Sequence, residues 1–383
     1  MRIAFYAPMK APHHPTQSGD REIARLFLRA LSAAGHEVEL ASRFRSRDGG
    51  GDGRRQERIR DIGARLAERL LRRYRAAPAE ARPQLWFTYH LYHKAPDWLG
   101  PTVARALGIP YVVAEASFAP SQAKGPWALG HRAAAEAIGA AAAVFNLNPG
   151  DVACVKPLLG DPRCLVPLKP FIQVADFPVT DAADGAREVL ARRYHLPAAE
   201  TWLIAVAMMR PGNKRDSYQL LAGALATLEQ RAWRLLIVGD GSVRAQVEAM
   251  FARFAPGRVV FTGALAADAL RTLLVQCDLF VWPGVREPIG MAMLEAQAAG
   301  LPVVSGAGPG VAGIVQDGCT GLLVPRGDVG AFAAAVASLL DGPQERAALG
   351  ARARLTAHEG HDIATASATL DRVLTDLAAG SWP

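Results

Sequence analysis

Short apolar runs alternate with helix-length segments along the whole chain, and the alternation begins afresh half-way. In the first half the runs are residues 3–7, 38–41, 85–89, 111–114, 142–145 and 164–167. In the second they are residues 203–207, 234–238, 259–261, 279–282, 303–305 and 321–324. Helical segments lie between them, among them 21–34 closed by Gly35 and 103–107 closed by Gly108. A glycine just past the last helical residue takes the left-handed turn that ends a helix. Strands separated by helices pair in parallel, with the helices covering the sheet. The expected fold class is therefore α/β, with two Rossmann-like doubly wound parallel-sheet domains facing across a cleft.

The length of 383 residues suits two such domains, each of roughly 100–200 residues. Residues 167–178 carry Pro167, Pro170 and Pro178 with little periodicity and read as a linker. The expected boundary lies near 178–184, giving domains 1–178 and 179–358, with 359–383 a C-terminal helix returning to the first domain. No apolar run approaches the roughly 20 residues needed to cross a bilayer. The opening residues read as a core strand rather than a signal peptide. The expected location is cytoplasmic.

Charge is uneven. The formal net charge is +7, and residues 43–75 alone hold twelve arginines, no lysine and five acids. That stretch carries the whole excess, and a formally neutral remainder argues against a nucleic-acid binder. The four cysteines (Cys154, Cys164, Cys277, Cys319) form no C-x-x-C pair and read as inert thiols. His358-Glu359-Gly360-His361 is one residue short of the zinc-binding H-E-x-x-H spacing. The absence of D-x-D removes the simplest carboxylate pair for a metal on a diphosphate. No metal and no cofactor are expected.

Residues 278–304 are the most informative run. A strand ends at Trp282-Pro283, a loop carries Glu287, a helix begins near Gly290, and Glu295 lies one turn in. Backbone N–H groups at such a helix start bind anions. Taken alone, Glu287 serves equally well as an acid stabilising the helix dipole, about 0.3–1 kcal/mol, and Glu295 as a solvated helix residue.

This run resembles the E-x7-E signature of retaining glycosyltransferase family 4, whose fold is GT-B. Other segments carry the likeness further: Leu236-Ile-Val-Gly-Asp-Gly241, Phe261-Thr-Gly263, the segment from Asp317 to Asp328, and Ser18-Gly19 followed by Gly35-His36-Glu37-Val38. The resemblance implies transfer of a sugar from a nucleotide-diphosphate donor to a hydroxyl acceptor with retained configuration. It assigns Glu287 to the transferred sugar and Glu295 to the ribose. Gly290 and the amides after it would hold the diphosphate, with Gly19 approaching from the first domain, and Ile289, Met291 and Gly263 would complete the donor-binding residues. Without a metal, cations must meet the leaving group, and Lys214 and Arg210 in the loop 208–215 are the candidates, with Arg215 an alternative. Met208 or Met209 stands where the family has its arginine. Ala116 takes the place of a family histidine near the reacting end of the sugar, leaving His90 and Glu115 as acceptor or sugar candidates.

No nucleophile or general base is placed; the resemblance implies same-face substitution, in which the protein contributes positioning and electrostatic stabilisation. A nucleotide-sugar epimerase, or a non-catalytic nucleotide-sugar binder motivated by Ala116 and Met208, are the alternatives. The acceptor is expected to be a glycolipid, polysaccharide or other glycoconjugate. In the basic stretch, Ile59, Ile62, Leu66, Leu70 and Tyr74 form the expected buried stripe of a helix. Its arginines are either a solvated face or, as the resemblance suggests, a surface for an anionic membrane.

Overall fold

The computed structural model describes residues 1–15, 18–177 and 185–382. Each of the twelve apolar runs is a strand, and every strand pairing is parallel. In chain order the first elements are β1 (Arg2–Tyr6), α1 (Gly19–Ala33), β2 (Glu37–Ser42), α2 (Gly53–Ala76), β3 (Leu85–Leu91) and α3 (Gly100–Leu107). There follow β4 (Tyr111–Ala116), α4 (Ala128–Gly139), β5 (Ala143–Asn146), α5 (Val152–Val155) and β6 (Leu165–Pro167). The second series is α6 (Ala186–Tyr194), β7 (Thr201–Val206), α7 (Asn213–Ala226), β8 (Trp233–Val238), α8 (Arg244–Phe251), β9 (Val259–Gly263) and α9 (Ala267–Gln276). It continues with β10 (Leu279–Trp282), α10 (Met291–Ala298), β11 (Val303–Gly306), α11 (Pro309–Ala312), β12 (Gly321–Val324), α12 (Val329–Asp341) and α13 (Pro343–Gly360); α14 (Ile363–Ala378) ends the chain.

Two compact units result, Met1–Lys169 with Ile363–Pro383, and Pro170–Asp362. The boundary expected near 178–184 lies outside the described residues. α14 belongs to the first unit, where Ser367 Oγ donates to the Ala30 carbonyl of α1 at 2.7 Å. Trp382 Nε1 donates to the Ala142 carbonyl of the same unit at 3.1 Å.

The first sheet has the order β2-β1-β3-β4-β5-β6 and the second β12-β11-β10-β7-β8-β9. Each order reverses once, between β1 and β3 in the first and between β7 and β10 in the second. At such a switch point the loops leave in opposite directions and open a crevice at the carboxyl ends of the strands. Helices on both faces explain why the central strands read as unbroken apolar runs. β4 is buried throughout, and the one half-buried residue of β3 is His90. Glycines stop the helices as expected: Gly108 closes α3 with φ 66°, and Gly35 follows α1 with φ 82°.

Helix α2 keeps the expected inward stripe at Ile59, Leu66, Leu70 and Tyr74 and departs from it at Ile62. It begins at Gly53, capped by the Asp52 carboxylate, which accepts from Arg55 N at 3.2 Å. Its buried residues are Gln56, Gly63, Ala67, Leu70 and Tyr74, whereas Ile62 is 39% exposed. The reason is steric: Gly63 lies so close to Trp98 that a Cβ there would stand 2.5 Å from the Trp98 Cβ. The absent side chain lets the helix turn this edge inward. Ile62 is left on a stripe with Arg55, Arg58, Arg65, Arg69 and Arg72, all exposed and spaced by three or four residues.

Candidate functional site

In the second unit, β7 and β10 flank the switch point, so the segments that follow them share one crevice. The segment expected as a loop through 208–215 ends at Gly212, whose φ of 77° sets up the start of α7. Lys214 and Arg215 therefore occupy the first helical turn. A cation at the positive end of a helix is unfavourable by about 0.3–1 kcal/mol, and Glu287 offsets it. Lys214 Nζ donates to Glu287 Oε2 at 2.5 Å, and Trp282 Nε1 donates to the same oxygen at 3.1 Å. The ammonium also stands 5.2 Å from the centroid of the Trp282 ring. Trp282 is held edge-on by Tyr218 at 4.9 Å, and the Tyr218 hydroxyl donates to the Ala207 carbonyl at 2.7 Å. Ser217 Oγ accepts from Val285 N at 3.1 Å, tying α7 to the Glu287 loop.

The loop then enters α10 through Gly290, which adopts φ 90°, and among the described residues no side chain caps the helix start. Ile289 is buried beside this turn, Met291 is the first helical residue, and Glu295 sits half-buried in the second turn. A second glycine shapes the same loop from outside. A Cβ on Gly310 would lie 1.7 Å from the Pro288 carbonyl oxygen, so α11 can approach only with glycine there.

The remaining donor-side candidates fall further out. Arg210 is exposed, and Met209, near the place of the family arginine, is fully buried. Its backbone N–H donates to the Asp240 carbonyl at 2.9 Å, which seats the Gly-Asp-Gly turn against the end of β7. Gly263 ends the edge strand β9 with φ 73° and accepts from Gly239 N at 2.9 Å, two strands away from the switch point.

The first unit repeats the arrangement with different chemistry. Gly19 opens α1 after the Ser18 cap, whose Oγ accepts from Lys10 Nζ at 2.9 Å. Among the described residues, nothing lies within 4 Å of where a Gly19 Cβ would be. At the switch point between β1 and β3, Asp20 Oδ1 is 3.1 Å from His90 Nδ1. His90 has φ 60°, and Glu115 on the adjacent strand has φ 59°. The register pairs Tyr89 with Ala114 and Leu91 with Ala116, so the two left-handed residues are neighbours. Left-handed backbone costs a non-glycine residue roughly 1–2 kcal/mol. Burial pushes the Glu115 carboxyl up to about 7, with Asp151 and Asp20 adding to the rise and His90 opposing it. Burial alone would lower the His90 imidazole; Asp20, Glu115 and Asp151 together outweigh it and raise the group. Asp151 is raised by burial too, and its Oδ2 accepts from Asn148 Nδ2 at 2.9 Å. Ala116 is buried in β4. Among the described residues no group of three or more His, Cys, Asp or Glu side chains is arranged to hold a metal ion.

The structure thus brings Lys214 directly onto Glu287 beside Gly290, and joins His90 and Glu115 to Asp20 and Asp151, which sequence reasoning passed over. It also missed Trp282, Ser217 and Gly310. The signal for Gly310 was on view in Gly306-Ala-Gly308-Pro-Gly310 directly after a strand; the others depend on contacts between distant segments.

Fold and site together define a two-domain α/β protein of the GT-B class. Residues 200–342, within the second unit, match the family described as "Glycosyl transferases group 1". The 2-deoxystreptamine glucosyltransferase of Streptomyces kanamyceticus is 29% identical over 261 residues, covering 64% of this chain and 65% of that protein. The GDP-mannose-dependent alpha-(1-6)-phosphatidylinositol monomannoside mannosyltransferase of Mycolicibacterium smegmatis is 33% identical over 200 residues, 50% of this chain and 51% of that one. The chain thus spans less than two thirds of either relative. Among solved structures, Anabaena HepE in complex with UDP superposes with a TM-score of 0.74 at 16% identity, covering 98% of this chain and 100% of that one. At that identity the likeness is one of fold.

Proposed function

We propose that this chain is a retaining, metal-independent glycosyltransferase of family 4. It would move a hexose-type sugar from a nucleotide-diphosphate sugar to the hydroxyl of a glycolipid, polysaccharide or other glycoconjugate. The observation that carries the reading is the meeting of Lys214 and Glu287 at the switch point of the second sheet, beside the uncapped helix start at Gly290. An ammonium and the first backbone N–H groups of a helix at one switch-point crevice suit a diphosphate. The domain match and the nucleotide-sugar transferases among the relatives support the same donor class.

In this reading Lys214, with Arg210 beyond it, and the N–H groups after Gly290 meet the diphosphate. The bond from the anomeric carbon to the diphosphate oxygen breaks with its electron pair going to that oxygen. The acceptor oxygen bonds to the same face of the carbon, and its proton passes to the departing diphosphate. Glu287 accepts from sugar hydroxyls and supports the positive charge at the anomeric carbon; Glu295 accepts from the ribose. The chain's contribution is position and preorganised charge. His90 and Glu115 serve the acceptor side. The arginine stripe of α2 would hold a cytoplasmic protein against an anionic membrane surface; no helix among the described residues is long and apolar enough to cross one.

Thermal-shift screening with UDP-, GDP- and ADP-sugars, followed by a transfer assay with the donor that stabilises, tests the reading. Stabilisation by one base class and loss of transfer in Lys214→Ala and Glu295→Ala are expected. Unchanged transfer in both variants, or no stabilisation by any donor, would sink it.

A further inference from the structure

We propose that Trp282 is a positioning residue for Glu287, its indole N–H fixing the carboxylate for the donor sugar once Lys214 turns to the diphosphate. The inference rests on the nucleotide-sugar reading above. Two donors converge on one oxygen, Lys214 Nζ at 2.5 Å and Trp282 Nε1 at 3.1 Å. They differ in what they can do next.

Lys214 is a flexible side chain, 32% exposed, with three N–H donors that an arriving anion can recruit. Trp282 is 2% exposed and ends strand β10. Its ring is fixed edge-on by Tyr218, which is itself bonded to the Ala207 carbonyl. The indole has a single N–H, and it is already committed to Glu287. When the diphosphate draws the ammonium away, the indole remains as the rigid partner of a carboxylate carried on a loop. A carboxylate accepts about four hydrogen bonds, so one held by Trp282 leaves capacity for sugar hydroxyls. Packing alone would need only an aromatic ring at this position; the aimed N–H is the feature that packing does not require.

Trp282→Phe keeps a ring against Tyr218 and removes the donor. Calorimetric titrations compare UDP-glucose with UDP, and GDP-mannose with GDP, in wild type and variant. For the pair that wild type binds, the variant should hold the sugar nucleotide about tenfold more weakly, as expected for a lost hydrogen bond to a charged group. The bare diphosphate, which does not reach Glu287, should bind within about twofold of wild type, because a tenfold change is only about 1.4 kcal/mol. Equal binding of both ligands, or parallel weakening of both, would overturn the role. If the variant does not fold, the wild-type protein decides by NMR of 15N-labelled indoles, the Trp282 signal being the one displaced in Glu287→Gln. That N–H should stay protected from solvent exchange with the sugar nucleotide bound; faster exchange on binding overturns the inference. A wild-type chain that binds neither the sugar nucleotides nor the diphosphates overturns the nucleotide-sugar reading and this role with it, a result distinct from equal binding by the variant.

Discussion

Lys214 stands in the first turn of α7 with its ammonium 2.5 Å from the carboxylate of Glu287, which lies 73 residues further along the chain. The pair joins the two segments that leave the switch point of the second sheet. As a stabilising contact it is modest: the two side chains are 32% and 14% exposed, desolvation offsets much of the Coulombic gain of a part-buried pair, and the cation opposes the helix dipole by about 0.3–1 kcal/mol.

Lys214→Ala should therefore leave the melting temperature within about 2 °C of wild type, since 1 kcal/mol shifts a domain of this size by only about 2–4 °C. Transfer should fall about 10²–10³-fold, the loss typical of removing one preorganised group at a developing charge. Calorimetric melting and a transfer assay on the same preparation check both halves. A large drop in melting temperature with transfer intact would make the pair structural.

Gly310 offers a way to disturb the donor loop without touching a ligand. With the Pro288 carbonyl oxygen 1.7 Å from where its Cβ would sit, Gly310→Ala must push the 287–290 loop or α11 aside. The contact is to backbone, so no side-chain rotation relieves it. Nucleotide affinity should fall at least tenfold, with a loss of stability of about 1–3 kcal/mol, as for overpacking elsewhere. Calorimetric titration with the stabilising nucleotide and urea unfolding measure the two effects. Wild-type affinity would show that the loop does not shape the site.

The elements were legible because doubly wound sheets impose strong local signals. Buried parallel strands must be apolar throughout, and helices closed by Gly35 and Gly108 end where a side chain would be strained. The loop carrying Glu287 and Gly290 was equally open to reading, since one short segment holds both. What escaped is long-range. Nothing near Trp282 in the sequence says that its N–H meets Glu287 rather than solvent. Asp20, His90, Glu115 and Asp151 come from four separate segments and meet only when the sheet assembles. The helix α2 was placed with Leu70 and Tyr74 buried and Ile59 and Leu66 half-buried as read, and only Ile62 escaped, because Gly63 packs by what it lacks. Lys214 was placed in a loop since Pro211-Gly212 punctuates the chain immediately before the helix begins.

Glu115 gives a signed pH dependence. Burial raises its carboxyl from the ordinary 4.5 to about 7 in the folded chain. The folded state therefore keeps a proton that the unfolded state gives up. The associated stability is present in full below about 4.5 and is lost as pH rises toward 7. His90, also raised, acts in the same direction, because its contribution fades as pH climbs through its folded value. Glu115→Gln removes the first effect and the support that Glu115 lends His90. The stability of the variant relative to wild type should rise between pH 4.5 and 7 and then level off. A difference of about 2–3 kcal/mol across that span is the order expected at 1.36 kcal/mol per unit. Urea unfolding at pH 5, 6, 7 and 8 measures it, and a difference independent of pH would show that the carboxyl titrates normally.

The stripe of Arg55, Arg58, Ile62, Arg65, Arg69 and Arg72 on α2 gives the last prediction. Five cations and one exposed apolar side chain share a face opposite the buried edge that ends at Tyr74. Each arginine near an anionic leaflet contributes roughly 1 kcal/mol, and Ile62 adds apolar contact. Vesicles containing phosphatidylglycerol should retain the protein at low salt and release it at 1 M salt, where the screening length falls from about 10 Å at 0.1 M to about 3 Å. Arg58→Glu, Arg65→Glu and Arg69→Glu combined should weaken retention at least 100-fold, given that 1.4 kcal/mol is tenfold. Neutral phosphatidylcholine vesicles should retain neither protein. Because the substituted side chains are exposed and lie in the first unit, nucleotide binding by the second unit should be unchanged. Equal retention by neutral vesicles, or by the triple variant, would mean that the face is merely solvated.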